Sequence, residues 1–150
     1  MKFLHETGVI VDDHNSALTI IDGSMGAVEF PEELIWNLHK ARPGSVFELA
    51  HTHPNGMSEL SGRDEQTLKT WAFALYPFPL RMSVIAAEPF GDFTYKRFVG
   101  IVEPREHWLA RGKGVRGFQI VKELDYLYFG TQFDEYQNWP GFLLHRSYEL

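Results

Sequence analysis

His51 and His53 stand one residue apart, and Ser61 and Asp64 follow in the same stretch, HTHPNGMSELSGRD. Imidazole nitrogen and carboxylate oxygen are the donors a divalent ion takes when no thiolate is present, and this chain has no cysteine. In a strand, alternate side chains share a face, so Phe47, Leu49, His51 and His53 project together. Asp64 lies eleven residues beyond His53, far enough for the chain to reverse and return a carboxylate to the strand end. Two nitrogens and one oxygen make the three-ligand set of many catalytic zinc sites, where the fourth position is left to water. Other divalent ions accept the same donors.

The same residues also spell the start of an ordinary helix. Ser61-Gly62-Arg63-Asp64 is a capping box, in which the Ser hydroxyl satisfies a free backbone N–H and the acid three positions on reaches back. Capping accounts for Ser61 and Asp64 but not for His51 and His53, because paired imidazoles at the end of an apolar strand face are costly to bury without partners. Taken together, the four residues read as a metal site.

The elements that position them follow from local pattern. Apolar runs at Thr7 to Val11, Ala17 to Ile21 and Ala27 to Phe30, separated by the turn-forming DDHN and DGSMG, predict three short antiparallel strands. PEELIWNLHKARPG predicts a helix with Pro31 in its first turn, acids early, bases late and Pro43-Gly44 as a stop, burying Leu34, Ile35 and Leu38. SVFELAH reads as the strand that ends in the histidines. A second helix starts at about Gly62, with Leu68, Trp71, Ala72 and Leu75 on one face. RMSVIAA and FTYKRFVGIV predict two further strands, the first central because it is nearly all apolar. From Pro104 the pattern is less regular, so residues 104 to 150 read as a C-terminal extension of one domain whose core spans about 6 to 102.

Bulk composition narrows the chemistry. At 150 residues and 44% hydrophobic, one α/β domain with a closed core is expected. A net charge of -6 gives no global positive field for nucleic acid or an anionic membrane, and a polypeptide partner fits better. No segment reaches the length of a membrane span, and the apolar run in MKFLHETGVIV is too short for a secretory leader, so a cytoplasmic location is expected.

HTHPNGMSELSGRD resembles the metal-binding signature of the JAMM (MPN+, Mov34/JAB) zinc metalloproteases at each defining position: His, Ser or Thr, His, seven residues, Ser, two residues, Asp. Pro54 after the second histidine also matches. The resemblance covers about residues 6 to 102 and implies a cytidine-deaminase-like mixed sheet flanked by helices. It implies that His51, His53 and Asp64 hold zinc and that Ser61 helps hold the oxyanion. It further implies an upstream glutamate, not itself a ligand, as general base. Glu6, in ETGVIV just before an apolar strand, is the preferred candidate. Glu29 is second, and its alternative role is an acid favoured by the helix N-terminus after it. Glu48 is third, because a residue three before His51 on one strand should face the other side.

The expected activity is hydrolysis of an amide bond, with Glu6 moving the proton and Ser61 meeting the carbonyl oxygen. The expected substrate is the C-terminal tail of a ubiquitin-like or other protein, as for an isopeptidase. The alternative is a non-catalytic zinc-stabilised scaffold or binding module, as in phage tail assembly, with His5 as the candidate fourth ligand. REHWLARGKGVRGF, with Arg105, Arg111, Lys113 and Arg116, reads as a solvated loop or a basic flap. The aromatic run Tyr126, Tyr128, Phe129, Phe133, Tyr136, Trp139, Phe142 and Tyr148 reads as packing, or as a surface for a homo-oligomer.

Overall fold

The computed structural model describes residues 2–3, 5–53, 57–87, 93–111, 117–128 and 139–149. Elements run in the order β1 (Lys2–Phe3), β2 (Thr7–Val11), β3 (Ala17–Asp22), α1 (Glu32–Ala41), β4 (Glu48–His53) and α2 (Gly62–Ala74). They continue with β5 (Leu80–Ala87), β6 (Phe93–Val102), α3 (Arg105–Arg111), β7 (Phe118–Tyr128), α4 (Trp139–Ser147) and β8 (Tyr148–Glu149). The fold is mixed α/β. Six strands form one sheet in the order β3-β2-β4-β5-β6-β7, and β1 pairs separately with β8. Only β4 and β5 run parallel, and α2 makes the crossover that a parallel pair requires.

The two sheet faces carry two cores. On one, Ile10, Leu49, Met82 and Phe98 pack against Ile35 of α1 and Leu68, Trp71 and Leu75 around α2. On the other, Val9, Val11, Ala50, Ile85 and Phe93 pack against Leu143 and Leu144 of α4. β4 and β5 have helices on both sides and are buried along nearly their whole length, as expected for central strands. α2 starts where its cap predicts: Ser61 Oγ accepts from the Asp64 N–H while the Asp64 carboxylate accepts from the Ser61 N–H. α1 begins one residue after Pro31, which occupies the cap position.

Two expectations need correction. Ala27 to Phe30 form no strand. Both edges of β2 are already taken by β3 and β4, and the segment instead crosses the sheet, laying Val28 and Phe30 over Gly8. A Cβ on Gly8 would lie 2.6 Å from Val28 Cγ1, so the missing side chain is what admits the crossing. Residues beyond 104 are also more regular than their pattern suggests. β7 is an eleven-residue edge strand, α4 covers the second face, and the buried Leu143 and Leu144 extend the core past residue 102. Arg105 and Arg111 lie on helix α3 rather than in a loop, while Lys113 and Arg116 lie outside the described residues. Of the aromatic run, Phe129, Phe133 and Tyr136 also lie outside them, Tyr126 is exposed, and Trp139 packs edge-on against Tyr95. No helix among the described residues is long and apolar enough to cross a membrane.

Candidate metal centre

The site begins with strand alternation. His51 and His53, both buried, leave β4 on one face while Glu48, Ala50 and Thr52 leave on the other. The capping box then fixes Asp64 opposite them. His51 Nε2 lies 2.9 Å from His53 Nε2, and Asp64 Oδ2 lies 3.1 Å from the first and 3.0 Å from the second. Three donor atoms thus converge on one point. Tetrahedral zinc with bonds of about 2.0 to 2.1 Å spaces its ligands by roughly 3.3 Å, so this triangle needs to open by only a few tenths of an ångström. Among the described residues this is the one group whose ligand atoms could hold a metal ion.

The tautomers fit as well. His53 Nδ1 lies 2.9 Å from the Met57 carbonyl oxygen, an acceptor, so the proton belongs on Nδ1 and the Nε2 lone pair faces the cluster. A neutral His53 would then point its lone pair at the Asp64 carboxylate. Burial opposes charging His53, but Asp64, the Met57 carbonyl and Glu6 together raise its pKa. Burial likewise opposes ionisation of Asp64, yet hydrogen bonds from His51 and His53 hold its carboxyl far below the usual range. Both shifts have the same cause, the close approach of the two imidazoles to the Asp64 carboxylate. His51 lacks the outer support His53 has, since its Nδ1 is buried without a hydrogen-bond partner among the described residues.

A cleft of about 210 Å³ opens beside the triangle, lined by Glu6, Phe30, His53, Ser61, Arg63 and Asp64. The register pairs Gly8 with His51, and continuing it by two residues sets Glu6 beside His53. Glu6 is buried, and its carboxylate accepts no hydrogen bond from a described residue. Burial raises its pKa, against the lowering effect of His51 and His53. Ser61 Oγ accepts from the Asp64 N–H at 3.1 Å, which occupies a lone pair and leaves the hydroxyl proton without an acceptor among the described residues. The cap therefore engages only one side of the hydroxyl.

The other candidates lie elsewhere. The Glu29 side chain is 81% exposed and pairs with Arg63 at 2.9 Å. Glu48 faces the opposite side of the sheet, as alternation requires, where Ser83 and Tyr95 donate to it and Arg97 stands at 3.5 Å. His5 reaches Asp22 at 3.2 Å and does not join the cluster. Pro54 lies outside the described residues.

Three contributors were invisible in the sequence: the Met57 carbonyl, Gly8 with the Val28-Phe30 wall above it, and Lys96. Lys96 holds Glu59 at 2.8 Å and so anchors the loop carrying Met57. Tertiary contacts alone bring these to the site. A scan against protein-family models, a search of curated proteins and a search of solved structures each find no match for the chain.

Proposed function

We propose that the chain is a zinc-dependent metallopeptidase of the JAMM type, with a cytidine-deaminase-like arrangement of its sheet, hydrolysing an amide bond in a polypeptide. The observation that carries this reading is the convergence of His51 Nε2, His53 Nε2 and Asp64 Oδ2 at one end of a cleft that also holds an unpartnered Glu6 and the free hydroxyl proton of Ser61. Ligation by His51, His53 and Asp64 leaves no further described ligand, and His5 is tied to Asp22, so the arrangement favours an open catalytic centre over a closed structural one.

Zinc bound there supplies Lewis acidity, acidifying water and polarising a carbonyl. Glu6 takes the proton of the attacking water, then returns it to the leaving amine nitrogen as the C–N bond breaks. Its raised pKa suits that exchange, because a carboxylate of ordinary acidity is a weaker base. Ser61 donates its free O–H to the carbonyl oxygen as negative charge develops. Met57 and the Lys96–Glu59 pair keep His53 in the tautomer that presents Nε2. A ubiquitin-like tail or another extended peptide suits the open cleft.

The test is elemental mass spectrometry on protein purified without added metal, wild type beside Asp64→Asn, paired with cleavage of a quenched-fluorescent peptide library. The expected result is near one zinc per chain, lost in the variant, with cleavage that a chelator stops and zinc restores. A folded wild type that binds no zinc would refute the metal centre. Zinc bound without cleavage of the library or of ubiquitin-like fusions would favour the scaffold reading.

A further inference from the structure

A second concavity, about 400 Å³, runs between α1 and α2 and shares Val28, Phe30, Arg63 and Thr67 with the cleft. Trp36 and Trp71 line it, their ring centroids 5.3 Å apart and tilted by 60°. Glu29 and Glu32 stand on it as well. Arg63 cancels Glu29 in their ion pair, whereas Glu32 is exposed and has no ion-pair partner among the described residues. The groove therefore carries one net negative charge beside two indole rings, inside a chain of net charge -6.

We infer that this groove is a subsite for a basic side chain, lysine or arginine, of the polypeptide whose backbone occupies the cleft. Three features select that occupant. An aliphatic stem fits the Trp36 and Phe30 surface, a cation is attracted to an indole face, and Glu32 supplies the opposite charge at the rim. A neutral apolar side chain would use the first feature alone, and an acidic one would be repelled by Glu32. Phe30 lines both concavities, and its ring lies 6.5 Å from that of His51, so the groove adjoins the cleft.

The subsite rests on the peptidase reading for its purpose but not for its measurement. The probes are acetylated, amidated tetrapeptides Ala-X-Ala-Ala with X as arginine, lysine, norleucine or glutamate. They are titrated into the full chain, zinc-loaded and chelator-treated, while the Trp36 and Trp71 indole N–H resonances are followed. Arginine and lysine peptides should move both resonances and bind about three- to tenfold more tightly than norleucine, in both metal states. Glu32→Gln, a surface change, should reduce that preference and leave only the part the indole face supplies. Equal binding of the norleucine peptide, a preference undiminished by Glu32→Gln, or indoles unmoved by every peptide would overturn the subsite. Absence of zinc or of cleavage would overturn the peptidase reading alone, since the groove contains none of the three ligands.

Discussion

The two faces of β4 bury polar groups within a few ångströms of one another and treat them in opposite ways. Behind the sheet, Thr52 Oγ1 accepts from the Thr7 N–H at 2.9 Å and meets Ser147 Oγ at 2.8 Å, while Ser147 also reaches Thr7 Oγ1 and the Leu143 carbonyl. Glu48 there is held by Ser83, Tyr95 and Arg97, and of this group Arg97 Nε alone is buried without a hydrogen-bond partner among the described residues. In front, His51 Nε2, His53 Nε2 and Asp64 Oδ2 crowd around one point, His51 Nδ1 has no partner, and Glu6 accepts nothing from a described residue. Buried polar groups are normally matched, because an unmatched one costs about 1 to 3 kcal/mol. The matched face holds the fold together. The unmatched face is where a ligand has something to gain.

If that contrast is right, substitutions in front should cost activity and spare stability. Glu6→Gln should show the largest effect, a fall in turnover of about 10²- to 10⁴-fold with zinc retained. Its stability effect has the opposite sign. The folded state raises the Glu6 pKa above its ordinary value of 4.5, so in the metal-free chain its contribution is most favourable at low pH and is eroded as pH rises through that raised value. Glutamine removes the erosion. Thermal melts of the metal-free protein should therefore show the variant at least as stable as wild type at neutral pH, and a variant that melts lower would make Glu6 part of the framework. Ser61→Ala is mixed, losing about 10²- to 10³-fold in turnover to the missing donor and about 1 kcal/mol to the missing cap. Ser61→Thr, which keeps both, should recover both in paired kinetic and denaturation measurements.

Behind the sheet the pattern should invert. Thr52→Val keeps the side-chain shape but leaves the buried Thr7 N–H without its side-chain acceptor and takes one of three partners from Ser147. A loss of about 1 to 3 kcal/mol is expected by urea denaturation, with zinc stoichiometry unchanged. Thr52 stands between His51 and His53, so the metal measurement sharpens the contrast: a tenfold fall in zinc affinity would mean that the back face also positions the front.

How much of this the sequence disclosed depends on whether a feature is local. The His51, His53 and Asp64 cluster was legible because strand alternation and a capping box each act over a few residues. α2 was legible for the same reason, and β5 because a strand covered on both sides is apolar throughout. β7 was not. As an edge strand it carries Gln119, Lys122, Glu123 and Asp125; Lys122 pairs with Asp125 within the strand, and Glu123 finds Arg81 of β5 at 2.8 Å. α4 was not legible either, because it holds Pro140 and Gly141, both weak helix formers, although proline is tolerated in a first helical turn. Ala27 to Phe30 misled in the other direction: the run has strand composition but serves as a wall, because Gly8 opens space for it. The Met57 carbonyl carries no side-chain signature at all.

The smallest predicted effect concerns how the matched face is fastened at its edge. Arg146, on the last turn of α4, donates from Nε at 2.8 Å and from Nη2 at 2.7 Å to the two oxygens of Asp22, at the end of β3. The Arg146 hydrogen bond is the main cause that lowers the Asp22 pKa, to about 2 from an ordinary 3.8. Because the folded value is depressed, this contribution is fully present above the ordinary value and is lost as pH falls toward 2. Both side chains are nearly half exposed, so salt screens the pair and the effect is modest. Hydrogen exchange in α4, corrected for intrinsic rates, should show protection at the Ser147 end declining between about pH 4 and pH 2. Asp22→Asn should lower it at every pH and remove the dependence. Protection around Leu143 and Leu144 should hold throughout, since buried hydroxyls and apolar contacts secure that part of the helix. Should the whole helix loosen together in Asp22→Asn, the exposed ion pair, and not the matched hydroxyls, would be what fastens α4 to the sheet.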